Sequence, residues 1–206
     1  MTKVNKRVGV FSGTFDPVHL GHIEACLIAR AALGLDKIVV FVEKHPKRKQ
    51  NVTTFEDRMY MVRLAFQHMH DVIVAENDFD NITIENTLPY LKSEYPKHQA
   101  VLVVGSDMLK HMDAWQDIEE LLNNMSICVI LRDIDQQAET KKHIASLKKK
   151  HMKAVFTLLP PVAIAVSSSK VKHDLKETGT CELIHRNVLQ YINDKKLYES
   201  FSPTAK

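Results

Sequence analysis

The sequence predicts a doubly wound α/β fold with a mostly parallel sheet, of the Rossmann-like type. Six short runs rich in valine and isoleucine recur along the chain, and segments with helical periodicity separate them. Unbroken apolar runs are typical of strands that are covered on both faces, as in parallel sheets. Their alternation with helices indicates right-handed crossovers, which place helices on both sides of one sheet.

The predicted strands are, in chain order, RVGVF, KIVVFVE, DVIVAE, AVLVVGSD, SICVILR and AVFTLLP. The predicted helices cover about Leu20–Leu33, Thr54–His68, Ile84–Tyr95, Ile118–Asn123, Gln136–Lys150 and Val188–Lys195. Thr53 or Thr54 can cap the second helix, because a hydroxyl accepts from free backbone N–H groups and the following Glu and Asp suit the positive helix end. A further helix is expected to start at SSSK, residues 167 to 170.

Length and composition indicate one domain. With 206 residues, of which 45% are hydrophobic and 26% charged, the chain can bury one substantial core. We expect a single domain, 1–206, with a small helical part from about residue 167 onward. The three cysteines are widely spaced and form no CxxC pair, which predicts neither a disulfide framework nor a zinc site. Neither a signal core nor a spanning segment is evident, so we expect a cytoplasmic protein with no membrane partner.

The charge is nearly balanced, with 28 Lys and Arg against 25 Asp and Glu and a net charge of +3. This excess is too small to favour nucleic-acid binding over the whole surface, although a local basic patch can still bind phosphates. Small anionic ligands are therefore expected, and nucleic acid is not. The lysine-rich segment 141–150 is interpreted as the solvated face of a helix.

The turn after the first predicted strand, GTFDPVHLGH at residues 13 to 22, carries the strongest functional signal. In open parallel sheets, ligands bind beyond the carboxyl ends of the strands, where this turn lies. If a helix begins near Val18, then His19 and His22 share one face of its first turn, where free N–H groups favour an anion. Gly13 permits a tight exit from the strand, and Gly21 leaves room for a flat ring or sugar against the backbone. The two imidazoles can together bind one phosphate.

A second candidate phosphate site lies at SSSKVK, residues 167 to 172. The hydroxyls of Ser167, Ser168 and Ser169 can cap a helix and donate to phosphate oxygens, and Lys172 adds a positive charge. A serine cluster by itself is more often only a helix cap. Its combination with the histidine turn favours a phosphate site here.

These segments resemble the HxGH nucleotidyltransferase superfamily and, within it, the bacterial nicotinate mononucleotide adenylyltransferases. The resemblance rests on GTFDPVHLGH, on HPKRK followed by TFEDRMYMVRLA, on ITIENTLPYL, on VGSDMLKHMDAWQDIEELL, and on LPPVAIAVSSSKVK with a terminal VLQYINDKKLY. The segments fall in the family's order along nearly the whole chain. Lys172 stands where the family usually has arginine, and Ser169 stands where it usually has threonine.

The resemblance implies that the phosphate of a pyridine mononucleotide attacks the α-phosphorus of ATP, and that pyrophosphate leaves. Mg²⁺ would be carried by the ATP phosphates, with no metal site made of protein side chains. The catalytic residues implied are His19 and His22. The ATP-binding residues expected from the motifs are Gly13, Thr14, Phe15, His19, Gly21, His22, Gly105, Asp107, Ser167, Ser168, Ser169 and Lys172. Gly105 and Asp107 end the fourth predicted strand, where a carboxylate can accept from ribose hydroxyls.

The mononucleotide side rests on Lys47 and Arg48, in a basic loop expected to bind its phosphate, and on Thr83 and Trp115. The resemblance favours stacking of Trp115, the one tryptophan of the chain, on the pyridine ring, and Thr83 helping to orient it. The alternative for Trp115 is a core or helix-capping role.

Other functions stay open at this point. The acceptor could be phosphopantetheine, the enzyme could be a cytidylyltransferase, or the chain could be a non-catalytic nucleotide-binding or RNA-binding module. The sequence does not distinguish nicotinate from nicotinamide mononucleotide. It is compatible with a homo-oligomer and does not give the oligomeric state.

Overall fold

The fold is a parallel sheet with helices on both faces. The computed structural model describes residues 6–46, 49, 51–76, 79, 82–164 and 166–198. The strands are β1 Lys6–Gly13, β2 Lys37–Val42, β3 Val72–Val74, β4 His98–Gly105, β5 Met125–Ile130 and β6 Phe156–Leu159. They form a six-stranded sheet in the order β3-β2-β1-β4-β5-β6, and every neighbouring pair is parallel. The predicted fold class is confirmed.

The helices are α1 Leu20–Leu33, α2 Phe55–Phe66, α3 Ile84–Glu94, α4 Ser106–Leu109, α5 Ile118–Asn124, α6 Gln137–Lys150, α7 Ser168–Thr178 and α8 Arg186–Asp194. Short 3₁₀ turns cover Met112–Ala114 and Ile134–Gln136. The bounds predicted for six of these helices agree with the structure to within two residues. Thr54 caps α2 as expected, since its Oγ1 accepts from the backbone N–H of Asp57 at 3.1 Å.

The core has two layers, one on each side of the sheet. In β2, Ile38, Val40 and Val42 face the layer that contains α1, α2, α7 and α8, while Val39 and Phe41 face the layer that contains α3 to α6. Both faces of the strand are buried, which explains why its sequence is continuously apolar rather than alternating.

The strand order places the expected ligand site at the carboxyl ends of the two central strands, β1 and β4. The chain runs from β1 outward to β2 and β3, then returns to the other side of β1 with β4. The carboxyl ends of β1 and β4, at Gly13 and Gly105, therefore lie at the switch point, where open sheets of this kind bind ligands.

The lysine-rich helix α6 has the solvated face that its sequence predicts. Thr140, Ile144 and Leu147 are buried, and the lysines on its other faces are exposed. Among the residues that the structure describes, no helix combines the length and apolar character needed to cross a membrane.

Candidate active site

His19 and His22 lie together where β1 leads into α1. Their rings stack with centroids 3.6 Å apart and 19° between the planes. The helix begins at Leu20 rather than near Val18, so His19 occupies the N-cap position and His22 the third helical position. The backbone N–H of His19 donates to Nδ1 of His22 at 3.2 Å. Because Nδ1 of His22 is an acceptor, its neutral ring carries the proton on Nε2.

Both histidines are neutral near pH 7. His19 is only 4% exposed, and burial, followed by the positive charges of Arg132 and Lys49, lowers its pKa to about 4. Burial, His19, Arg132 and Lys49 likewise hold the pKa of His22 well below its usual value. A neutral imidazole still carries one N–H group, which can donate a hydrogen bond to a phosphate oxygen. Nδ1 of His19 is buried and has no hydrogen-bond partner among the described residues.

The Phe15 ring packs against His22 and is buried, so its side chain is not open to a ligand. Its ring is 1% exposed and lies edge-on to His22, with centroids 4.9 Å apart. The backbone of Phe15 has φ of 51°, which is a strained conformation for a bulky residue. A Cβ on Gly13 would lie 3.2 Å from the Phe15 ring, so glycine permits this close packing. The Phe15 side chain is thus buried, and its predicted role in ATP binding would fall to its backbone.

Gly21 lies against the chain's own loop after β6, a contact that the sequence did not reveal. A Cβ at this position would lie 2.9 Å from Cγ1 of Val166 and 3.0 Å from the carbonyl oxygen of Ile164. The direction in which a Cβ of residue 21 would point is therefore filled by the chain's own loop after β6. Glu24 holds the same loop by accepting from the backbone N–H groups of Ala163 at 2.9 Å and Ile164 at 2.8 Å.

The start of α7 lies against the histidine turn, as the two motifs together predicted. Ser168 Oγ donates to the backbone carbonyl of Pro17 at 3.1 Å. Ser167 caps the helix, accepting from the backbone N–H of Lys170 at 3.2 Å. Ser169 is exposed and, with Ser168 and Lys172, lines a cleft of about 230 Å³ whose other walls are Asp16, Lys49 and Val52. Of the three predicted hydroxyls, two thus make protein contacts.

Lys172 faces this cleft in an ion pair that the sequence did not reveal. Its ammonium bonds the carboxylate of Asp16, which is 1% exposed. Burial by itself raises the pKa of the Asp16 carboxyl, but the hydrogen bonds from Lys172, Thr53 and Tyr198 lower this pKa overall. Asp16 lies in the GTFDPVHLGH turn, and its position directly before Pro17 is a signal that could have identified it.

Arg58 is a second residue that sequence reasoning missed. Its guanidinium is buried and donates to the backbone carbonyls of four residues: Thr53 at 3.0 Å, Thr14 at 2.9 Å, Glu43 at 2.6 Å and Lys44 at 3.1 Å. It therefore fixes the loops after β1 and β2 and before α2 with respect to one another. Thr14 is held from its side chain too, because its hydroxyl donates to Glu43 at 2.9 Å.

Arg132 and Asp107 form a pair at the same edge of the sheet. Arg132 Nε lies 2.8 Å from Asp107 Oδ2, and both side chains are 54% exposed. Asp107 thus stands where expected, two residues after the end of β4, with Gly105 as the N-cap of α4. Arg132 was not among the predicted site residues. Its place just beyond β5, at the ligand edge of a parallel sheet, could have indicated it.

Of the four residues predicted to bind the mononucleotide, the structure describes Thr83 and Trp115. Thr83 is the N-cap of α3, and its backbone N–H donates to Asn86 Oδ1 at 3.1 Å, so it has a local structural role. Trp115 is half-buried and packs against the core layer that contains α3 to α6. Lys47 and Arg48 lie outside the described residues. The adjacent Lys49 lines the cleft beside Asp16.

Within the described part of the chain, no group of three or more His, Cys, Asp or Glu side chains is arranged to hold a metal ion. The side chains that face the cleft include two lysines. Two positive side chains in one cleft suit anionic groups such as phosphates.

The family of the chain follows from comparison with known proteins. A family model described as cytidylyltransferase-like matches residues 10–174, which is most of the chain. The chain belongs to the cytidylyltransferase-like family. A Bacillus cereus protein described as a probable nicotinate-nucleotide adenylyltransferase is 30% identical over 95% of this chain and 100% of its own length. A Borrelia hermsii protein with the same description is 27% identical over 93% of this chain and 97% of its own. The protein is thus an enzyme of the nucleotidyltransferase class.

Solved structures show the same architecture. The Plasmodium falciparum nicotinic acid mononucleotide adenylyltransferase complexed with NaAD aligns with a TM-score of 0.74 at 18% identity, over 94% of this chain and 97% of that one. The same Plasmodium enzyme complexed with APC gives a TM-score of 0.72 at 17% identity, over 94% of this chain and 97% of that one. These similarities confirm the Rossmann-like fold.

Proposed function

We propose that this enzyme transfers AMP from ATP to nicotinate mononucleotide, with release of pyrophosphate, as a step of NAD biosynthesis. The observation that supports it best is the stacked pair of neutral histidines at the switch point of the sheet. They stand beside a cleft that lysine side chains line. The curated relatives of the chain supply the acceptor, since they are described as nicotinate-nucleotide adenylyltransferases.

The reaction needs no nucleophile from the protein. A phosphate oxygen of the mononucleotide attacks the α-phosphorus of ATP in line, the new P–O bond forms, and the bond from the α-phosphorus to the bridging oxygen breaks. That oxygen leaves with the pyrophosphate and keeps the bonding electrons. Catalysis then depends on positioning and on stabilising the charge that develops on the oxygens.

His22 would donate from Nε2 to an α-phosphate oxygen, because its Nδ1 is occupied by the backbone N–H of His19. His19, stacked on it, would present a second imidazole to the same phosphate. The β and γ phosphates would lie along the cleft at the start of α7, against Ser169 and Lys172 and the positive end of the helix. A lysine supplies charge there without the bidentate fork of an arginine.

The proposal also covers the metal ion, the contacts of the sugar and the ring, the domain organisation and the compartment. Mg²⁺ carried by the ATP phosphates would neutralise part of their charge. The ribose of ATP would meet Gly105 and Asp107, and the pyridine ring would meet Trp115. The chain would act as one domain, since residues of α7 and α8 share a core layer with the sheet. The free cysteines Cys26, Cys128 and Cys181 suit a reducing cytoplasm.

The test is a substrate panel. The enzyme is incubated with Mg²⁺ and either ATP or CTP, together with nicotinate mononucleotide, nicotinamide mononucleotide or phosphopantetheine, and pyrophosphate release is measured. We expect ATP with nicotinate mononucleotide to give the highest kcat/KM. A preference for phosphopantetheine or for CTP would overturn the proposed acceptor or donor, and no release from any pair would overturn the proposed activity.

A second test separates the two halves of the site. Ser169→Ala and Lys172→Ala should weaken the binding of ATP and pyrophosphate and leave mononucleotide binding nearly intact, as measured by calorimetric titration. Unchanged ATP affinity with lost mononucleotide binding would mean that the two phosphate sites are assigned the wrong way round.

A further inference from the structure

We propose that Asp16 and the C-terminal Tyr198 are positioning residues, which hold Lys172 in place to receive the leaving phosphates of ATP. The proposal rests on the proposed function in that it takes the cleft at the start of α7 to be a polyphosphate site. It assigns to these two residues a role that acts through Lys172. These residues are 182 positions apart in the chain.

The two oxygens of Asp16 have different partners. Oδ1 accepts from the Thr53 hydroxyl, from the backbone N–H of Thr53 at 3.3 Å and from the Tyr198 hydroxyl at 2.7 Å. Oδ2 accepts from Lys172. Because neutral donors already satisfy Oδ1, the ammonium of Lys172 is directed to Oδ2, on the wall of the cleft.

Tyr198 contacts both members of the ion pair. Its hydroxyl donates to Asp16, and its ring lies 5.3 Å from Nζ of Lys172, within the range of a cation–π contact. The chain reaches this position through two residues in the left-handed region, Lys196 with φ of 52° and Tyr198 with φ of 66°. Non-glycine residues rarely adopt such angles, so tertiary contacts such as these must hold the segment after α8 in place.

This arrangement leaves Lys172 able to bind a phosphate. An ammonium has three donors, and Asp16 takes up one of them. The side chain is 32% exposed, so it remains accessible from the cleft. A free lysine side chain would lose rotamer entropy on binding a phosphate, whereas this one is already ordered by a carboxylate on one side and an aromatic ring on the other.

The surrounding charges favour an anion in the same place. Burial lowers the pKa of Lys49, Asp16 and Glu43 oppose that effect, and the positive charges of Lys172 and Arg132 lower it further. Lys172 and Arg132 therefore repel the ammonium of Lys49, while the carboxylates of Asp16 and Glu43 have the larger effect on it. A polyphosphate would relieve this repulsion, and Asp16 keeps Lys172 from moving away before the polyphosphate arrives.

The chain offers a matched pair of variants for the test. Tyr198→Phe removes one hydroxyl that donates to Asp16 at 2.7 Å, and Tyr191→Phe removes one hydroxyl that donates to Asp57 at 2.7 Å, between α8 and α2. Both changes delete the same group at the same distance from an aspartate. Only Tyr198 contacts the partner of Lys172.

The measurement is the Kd of inorganic pyrophosphate with Mg²⁺ by calorimetry, together with the melting temperature of each variant. We expect Tyr198→Phe to weaken pyrophosphate binding by about 3- to 10-fold, the usual worth of one hydrogen bond. Tyr191→Phe should change it by less than about twofold at a similar loss of stability. Asp16→Asn should weaken it more than Tyr198→Phe. Binding of nicotinate mononucleotide should be unchanged in all of the variants.

Two results would overturn the proposal. Tighter pyrophosphate binding in Tyr198→Phe or Asp16→Asn would show that Asp16 competes with the phosphate for Lys172. Equal effects of Tyr198→Phe and Tyr191→Phe would show that Tyr198 has only a structural role, and this comparison is decisive even if Asp16→Asn does not fold. If pyrophosphate binds as expected but nicotinate mononucleotide is not a substrate, the proposed acceptor is wrong and the positioning role stands.

Discussion

The backbone N–H of His19 donates to Nδ1 of His22 at 3.2 Å, and the two rings stack at 3.6 Å. This bond fixes the ring orientation and the tautomer of His22, so that Nε2–H is left to face a ligand. Two imidazoles this close cannot both be protonated at low cost, since like charges would be stacked in a buried place. Their geometry therefore favours two neutral imidazoles as hydrogen-bond donors.

Removal of either imidazole should affect turnover rather than folding. Because both rings are proposed to stabilise charge that grows during transfer, His22→Ala and His19→Ala should each lower kcat by about 100-fold or more, on the order of 3 kcal/mol. Steady-state kinetics with ATP and nicotinate mononucleotide measure this effect. His68→Ala, at an exposed position near the end of α2, is the control and should leave kcat unchanged. Near-normal turnover of both folded variants would exclude the catalytic assignment.

The stability of the ligand-free protein should depend on pH through His19. Its folded-state pKa is about 4, while the unfolded value is about 6.5. Below about pH 6.5 the unfolded chain binds a proton that the folded protein excludes, so the free energy of unfolding falls by about 1.4 kcal/mol per pH unit until about pH 4. Above about pH 6.5 the contribution is complete.

Urea unfolding at about pH 7 and about pH 5 checks this dependence. The wild-type protein should lose about 2 kcal/mol more between these two conditions than His19→Gln does. The depressed pKa of His22 acts in the same direction and is present in both proteins. Equal losses in the two proteins would mean that His19 is not held neutral by the fold.

Trp115 should contribute more to binding of the acceptor mononucleotide than to the stability of the fold. Stacking of a flat base on an aromatic ring is worth about 1–3 kcal/mol, so Trp115→Ala should raise KM for nicotinate mononucleotide by roughly 10- to 100-fold and change the ATP KM little. Trp115→Phe should restore much of the loss. The side chain is half-buried, so its stability cost should fall below the about 3–5 kcal/mol of a fully buried aromatic. A large drop in melting temperature with both KM values shifted equally would contradict stacking.

Arg58 should be needed for the geometry of the whole site. Arg58→Lys cannot reproduce the bonds to four carbonyls, which come from three nitrogens of a planar group. We expect a loss of about 2–4 kcal/mol in the free energy of unfolding, because buried carbonyls would lose their donors. Arg63→Lys, on the same helix in an exposed ion pair with Glu76, should cost less than about 1 kcal/mol. Urea unfolding measures both losses. Comparable losses would show that the buried hydrogen bonds of Arg58 contribute no more to stability than the exposed ion pair of Arg63.

The elements of the fold could be predicted because their signals are local. Apolar runs such as KIVVFV and the period of α1 identify strands and helices from neighbouring residues alone. The order of those elements then restricts the sheet to a parallel, doubly wound form. The histidine turn and the start of α7 could be predicted as well, since each motif is contiguous and its residues follow a strand or begin a helix.

The contacts between distant segments could not be predicted in this way. Lys172 bonds Asp16 across 156 positions, and Ile164 fills the space beside Gly21. The sequence indicated that a side chain at Gly21 would interfere with a neighbour, and the structure shows that the chain's own loop is one such neighbour.

The sequence by itself determined the fold class and, for six of the eight helices in the described residues, bounds within two residues of those observed. It also predicted the two segments, the histidine turn and the start of α7, that lie against each other. Only the tertiary structure decided which hydroxyls bond to the protein, that Lys172 pairs with Asp16, and that Arg58 and Tyr198 bond to the turn after β1. Periodicity reports how each segment buries its own apolar face, which is a local property. Hydrogen bonds and ion pairs depend on which side chains meet when the carboxyl ends of separate strands converge, and no single segment carries that information.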